Sequence, residues 1–242
     1  SFSGDDGASI HAQIRDHHIG TSGCKHELFD NTRLHQVDPA FNGIMQETCV
    51  TVTWMKFALQ ALRLSGDAIY ADCIEESFYN AYLGALNTKH VASVARIQAD
   101  AKDPRKNGNL PTPEVLTFDS YSPLLAGERG QVVGGYNIMP DNTFYGCCAC
   151  IGSAGIGMIP KAAILHRADG VVLNLYFAGE MSAQTPKKQT LTVHTDTTYP
   201  YGDGRIAMTL SLKAPETFTL TLRIPAWSRE ATITVNGERL PV

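Results

Sequence analysis

Three of the chain's six cysteines fall within four positions, in the stretch Phe144-Tyr145-Gly146-Cys147-Cys148-Ala149-Cys150-Ile151-Gly152. A second piece answers it upstream: Glu47-Thr48-Cys49, directly ahead of a helical pattern. Thiolates joined by a carboxylate suit a borderline-soft ion with four tetrahedral ligands, and zinc is the first candidate. The expectation is that Glu47, Cys49, Cys147 and Cys148 meet around one Zn2+ ion. The paired CxxC of a zinc ribbon is absent, so the spacing also admits two other readings. The thiols could pack as small buried hydrophobes, or Cys147 and Cys148 could form a vicinal disulfide. Three cysteines beside glycines are unusual for packing. Cys49 also stands at a helix N-terminus, where the dipole favours the thiolate that a metal needs.

Other residues carry chemistry only in a particular setting. His26-Glu27 sits between Cys24 and Phe29. A lone Glu in a loop is ordinarily a solvated charge; as a catalytic acid, Glu27 would need burial to lift its pKa toward neutrality. Cys24 and His26 are metal-capable as well. Gly152-x-x-Gly155-x-Gly157 has a faint look of a phosphate loop, but no Gly-Lys-Ser/Thr follows and the GxGxxG order is missing. Glu75-Glu76 is expected on the solvated face of a helix, with Tyr79 and Asn80 as packing residues one turn on.

The elements that must position these residues divide the chain in two. Residues 1–46 read as mostly irregular, broken by Gly4, Gly7, Gly20 and Gly23. Residues 48–64 form a helix with Trp54, Phe57, Ala58, Ala61 and Leu62 on one face. Thr48 caps its start and Gly66 supplies its left-handed stop. Asp67 caps a second helix over about 67–86, antiparallel to the first. Loops are expected over 100–116 and 144–152, short strands at 119–124 and 131–133, and a short helix at 154–159 ended by Pro160. From Gly170 the period changes to two. Strands are expected at 171–177, 189–195, 206–212, 218–224 and 232–235, with a loop over 179–188. The fold class is α+β, with a helical part over 1–168 and an antiparallel β-sandwich over 169–242.

The totals exclude several classes. A net charge of −4 without a dense Lys/Arg run argues against nucleic acid. No apolar run approaches a membrane span. An apolar fraction of 43% over 242 residues supplies a core. The first six residues lack the charged and apolar regions of a signal peptide, and localisation is not legible from them. Adjacent cysteines fit metal binding or reactivity better than a secreted disulfide framework.

At these residues the chain resembles the β-L-arabinofuranosidases of glycoside hydrolase family 127 and its relatives. The matching pieces are Glu47-Thr48-Cys49-Val50-Thr51, Leu62-Arg63-Leu64-Ser65-Gly66-Asp67, Tyr70-Ala71-Asp72 and Glu75-x-x-x-Tyr79-Asn80. They continue with Tyr121-Ser122-Pro123-Leu124, Cys147-Cys148, Leu222-Arg223-Ile224-Pro225-Ala226-Trp227 and Val235-Asn236-Gly237. The resemblance implies an (α/α)6 toroid followed by β-sandwich domains, and retaining hydrolysis of terminal β-L-arabinofuranosides with zinc near the catalytic centre. It implies Cys147 as nucleophile, Glu27 as acid/base, and Glu47, Cys49, Cys147 and Cys148 as the zinc ligands. Glu75 matches a sugar-contacting carboxylate and Tyr121 a sugar-contacting tyrosine. The substrate implied is an arabinose-containing oligosaccharide or glycoconjugate.

Three departures from the family's pattern stand out. The separation of Glu27 from Glu47 is longer than the pattern, which requires an insertion. Cys150 stands where a cysteine is not expected and could compete for metal. The upstream toroid helices have no counterpart, and two helices cannot close a toroid. The chain is therefore expected to be a C-terminal portion, inactive or a poor hydrolase alone, its upstream helices supplied by another chain or by a longer gene product. The partners expected are that missing N-terminal helical segment or a second copy in a homo-oligomer. The rival readings are a non-catalytic, zinc-stabilised carbohydrate-binding fragment and a thiol redox protein using Cys147, Cys148 and Cys150.

Overall fold

The structure is a computed structural model and describes residues 12, 46–86, 118, 121–122, 137–138, 144–145 and 147–241. It divides into two compact units, Ser1–Ala61 with Cys73–Met158, and Leu62–Asp72 with Ile159–Val242. Mixed helix and sheet, it has the expected α+β class.

Strand β1 (Gln46–Glu47) leads directly into helix α1 (Thr48–Ser65). Val52, Met55, Leu59 and Leu62 recur every three or four residues and are all buried, which is the pattern that holds an amphipathic helix against a core. Gly66 ends it with φ of 73°, and its amide donates to the Leu62 carbonyl at 2.8 Å. That is the left-handed stop read from the sequence. Asp67 then caps helix α2 (Ala68–Ser77), its Oδ1 accepting from the Ile69 amide at 3.0 Å. The regular α-helix is shorter than the expected 67–86. From Phe78 to Tyr82 it widens into a π-turn, which carries Ala81 and Tyr82 into buried positions.

Three short strands follow: β2 (Tyr121–Ser122), β3 (Asn137–Ile138) and β4 (Phe144–Tyr145). The stretch expected as a cysteine loop is instead helix α3 (Cys147–Ile156). Gly152 and Gly155 lower helix propensity there, and close packing overrides it. Pro160 starts rather than ends a helix. It falls in the first turn of α4 (Ile159–Ala163), where its missing N–H costs nothing.

The second unit is built from β5 (Ile164–Arg167), β6 (Gly170–Leu173), β7 (Gly179–Gln184), β8 (Thr190–Thr197), β9 (Ile206–Ser211), β10 (Thr219–Leu222), β11 (Ile233–Val235) and β12 (Glu238–Leu240). One sheet has the order β10-β6-β5 and another β7-β8-β9, while β11 and β12 pair as a hairpin. Val171 and Leu173 of β6, Leu191 and Val193 of β8, and Tyr176 form one buried cluster, so the two three-stranded sheets share a core in the manner of a sandwich. Pairing is antiparallel except between β6 and β10, which run parallel. The expected loop over 179–188 is mostly β7, an edge strand. Only Met181 and Ala183 turn toward the core, too weak an alternation to read from sequence.

Arg223 clasps the second unit together. Its guanidinium, 1% exposed, pairs with Asp72 of α2, and its Nε donates to the Asn174 carbonyl at 2.5 Å. Asp72 Oδ1 also accepts from the Ala226 amide at 3.2 Å. The Arg223 carbonyl accepts the Tyr176 hydroxyl at 2.5 Å, and its amide donates to the Leu173 carbonyl at 2.9 Å. Removing one partner of a buried ion pair strands the other charge. Asp72→Ala is expected to cost about 3–5 kcal/mol, read from the denaturant midpoint. The double change Asp72→Leu with Arg223→Met should recover most of that loss. A single variant as stable as the parent would show that the clasp contributes nothing.

Candidate active site

The first unit brings two helix N-termini together. Cys49 is the second residue of α1, and Cys147 and Cys148 are the first two of α3. Cys49 Sγ lies 3.2 Å from Cys148 Sγ across 99 residues of sequence. Both are thiols; Cys148 is 1% exposed and Cys49 half-buried. Each sits where backbone N–H groups point out of the helix and favour negative charge.

The approach of α3 is set by its glycines. A Cβ at Gly155 would stand 2.6 Å from Tyr82 Cε2 and 3.1 Å from Val52 Cγ2, and a Cβ at Gly152 would stand 2.6 Å from the Phe118 ring. Real side chains essentially never come so near, so the faint phosphate-loop pattern is a close-packing surface. The Tyr82 ring lies 5.1 Å from that of Phe118 and 5.7 Å from that of Phe78. Its hydroxyl donates to the Gly152 carbonyl. Burial pushes the Tyr82 pKa up to about 12, with a backbone hydrogen bond at Ile156 pulling the other way.

Glu47 lies in β1 directly before α1, and its register partner in β2 is Tyr121. The backbone thus sets the carboxylate and the tyrosine named in the sequence on adjacent strands. The side chains of Glu47, Tyr121 and Cys147 lie outside the described residues, as does Glu27. Glu75 corrects the solvated-face expectation. It is 4% exposed on α2, while its neighbour Glu76 is exposed. Cys150 is exposed on α3, two residues beyond buried Cys148, so the helical turn separates the two thiols.

Among the described residues, no three Cys, His, Asp or Glu side chains gather as a metal group. Two of the four sequence-named ligands are described, and they fit. Tetrahedral zinc with bonds of about 2.3 Å holds its sulfurs about 3.8 Å apart, so Cys49 and Cys148 need open by only about 0.6 Å.

Two family models match the chain in sequence order. The GH127 β-L-arabinofuranosidase catalytic domain matches residues 6–106, and the GH127 middle domain matches residues 170–242. The chain belongs to glycoside hydrolase family 127. A curated relative, the non-reducing end β-L-arabinofuranosidase of Bifidobacterium longum subsp. longum, is 28% identical over 200 residues, covering 79% of this chain and 26% of that protein. The crystal structure of a GH127 β-L-arabinofuranosidase from Geobacillus stearothermophilus T6 superposes with a TM-score of 0.61 at 20% identity, over 94% of this chain and 32% of that one. A second solved structure, described as a glycoside hydrolase, also gives 0.61 at 20% identity, over 97% and 38%. At that identity these two likenesses show the fold. The chain spans between a quarter and two fifths of the length of these three proteins.

Sequence reasoning missed Tyr82 and the role of the glycines. The i, i+3 spacing of Gly152 and Gly155 was the available signal, because small residues so spaced form a groove along a helix. Gly155→Ala is expected to destabilise the protein by about 1–3 kcal/mol through overpacking against Tyr82. An unchanged melting temperature would remove the close approach as a constraint. Tyr82 ionises less readily folded than unfolded, so its contribution is present below pH 10 and lost as pH rises from 10 toward about 12. Tyr82→Phe should flatten the fall in stability over that alkaline window. An identical alkaline profile in the two proteins would contradict the buried, neutral phenol.

Proposed function

We propose that this chain carries the catalytic cysteine of a retaining β-L-arabinofuranosidase acting on terminal, non-reducing arabinofuranosides of an oligosaccharide or glycoconjugate. The observation that carries the reading is the 3.2 Å approach of Cys49 and Cys148 at two helix N-termini, in a chain of this family. Glu47, Cys49, Cys147 and Cys148 would hold Zn2+, with α1 and α2 as part of an (α/α)6 toroid. When bound, zinc keeps the thiols deprotonated at neutral pH.

The Cys147 sulfur is the nucleophile. It attacks the anomeric carbon, forming an S–C bond as the glycosidic C–O bond breaks. Glu27, protonated, gives its proton to the departing oxygen. In the second step the Glu27 carboxylate takes a proton from water, which attacks the same carbon and releases Cys147. Two displacements retain the configuration, with sulfur in place of the usual second carboxylate. Buried Glu75 on α2 and Tyr121 beside Glu47 bind sugar hydroxyls. A carboxylate excluded from water forms stronger hydrogen bonds to such groups than a solvated one.

The test is a chromogenic β-L-arabinofuranoside assayed on the full product of the gene beside the 242-residue chain. Cys147→Ala should lower kcat on the order of 10³-fold or more. Cys148→Ser should lower the zinc content. Glu27→Gln should slow substrates with poor leaving groups more than activated ones, because only the former depend on protonation. Full turnover in Cys147→Ala would overturn the nucleophile, and unchanged metal stoichiometry in Cys148→Ser would overturn the ligand set.

A further inference from the structure

Cys49 and Cys148 stand within reach of a disulfide. Their sulfurs are 3.2 Å apart, about 1.2 Å beyond a disulfide bond length. Both side chains stand at the first turns of helices that tight packing at Gly152 and Gly155 holds in place. Their accessibilities differ in a useful sense. Cys49 is half-buried and can meet a small solute, while Cys148 is 1% exposed.

We propose that Cys49 and Cys148 are an oxidative modification site, a dithiol that a hydroperoxide closes to a disulfide. The Cys49 sulfur attacks one peroxide oxygen. The O–O bond breaks, the leaving oxygen departs as water or alcohol, and Cys49 becomes a sulfenic acid. The Cys148 sulfur then attacks the Cys49 sulfur. The S–O bond breaks, the Cys148 proton leaves with the hydroxyl as water, and the S–S bond forms. Two thiols lose two electrons and two protons, and the peroxide takes up both. A thiol reductant reverses the step by exchange. Closure occupies two of the four sequence-named zinc ligands, so the disulfide and the metal compete for the same sulfurs. That consequence rests on the proposed zinc site; the disulfide itself does not.

The experiment treats the full chain, as purified and after chelation, with hydrogen peroxide at low molar excess, and maps peptides without reduction. A cross-link between the Cys49 and Cys148 peptides is expected after chelation. Titratable thiols should fall from six to four and return with a thiol reductant. Cys148→Ser should trap a sulfenic acid on Cys49, captured by a dimedone probe, and Cys49→Ser should abolish the cross-link. A Cys147–Cys148 disulfide in its place, a sulfenic acid on Cys147, or irreversible oxidation with no cross-link in the chelated protein would each overturn the proposal. Zinc uptake by the oxidised chain is read separately. If the cross-link forms and zinc binding is undiminished, the zinc assignment of these two sulfurs fails and the oxidation site stands.

Discussion

The candidate site depends on how closely α3 can lie against α1 and the turn after α2. Gly152 and Gly155 leave no side chain on that face, and the rings of Phe118 and Tyr82 fill the space where a Cβ would stand. The contact is steric, so it sets the spacing more firmly than a flexible polar contact would. With the helices held there, their N-termini converge and Cys49 and Cys148 meet without a cross-link. The π-turn at Phe78–Tyr82 belongs to the same arrangement, because it buries Tyr82 and lets its hydroxyl reach the Gly152 carbonyl. The close approach of the two sulfurs is thus a consequence of packing between small and aromatic residues.

The second unit is held by different physics. Its sheets share an apolar core around Val171, Leu173, Leu191 and Val193, and the unit also buries the charged side chain of Arg223. Burying a guanidinium is costly unless its donors are satisfied. Here Asp72 supplies the opposite charge and Asn174 a carbonyl, and the Arg223 backbone is tied to Leu173 and Tyr176. The tip of the helical hairpin, residues 62–72, belongs to this unit and carries Asp72.

Much of this was legible in the sequence, and the misses have causes. Helix α1, its Gly66 stop and the Asp67 cap follow from local rules, and local rules decided them. Strands β8 to β11 follow from period-two patterning with β-branched residues. Helix α3 was illegible because Gly152 and Gly155 speak against a helix locally, and only the rings packed on them reverse that. Strand β7 was illegible because two inward residues make too short a pattern. The burial of Glu75 beside exposed Glu76 is a tertiary fact with no local signature. The motifs containing Asp72 and Arg223 carried the family resemblance, yet nothing in their spacing revealed that they pair across 151 residues. Cys49 and Cys148 were read as ligands of one metal from residue type, with only Cys49 expected at a helix start; the structure sets their sulfurs 3.2 Å apart.

The proposed zinc site at the convergent helix ends has three sulfur ligands and one carboxylate. The most direct measurement is zinc K-edge X-ray absorption on the anaerobically purified protein. The account predicts three sulfur scatterers at about 2.3 Å and one oxygen at about 2.0 Å. A first shell of nitrogen and oxygen alone, or protein that takes up no zinc with its thiols reduced, would contradict it.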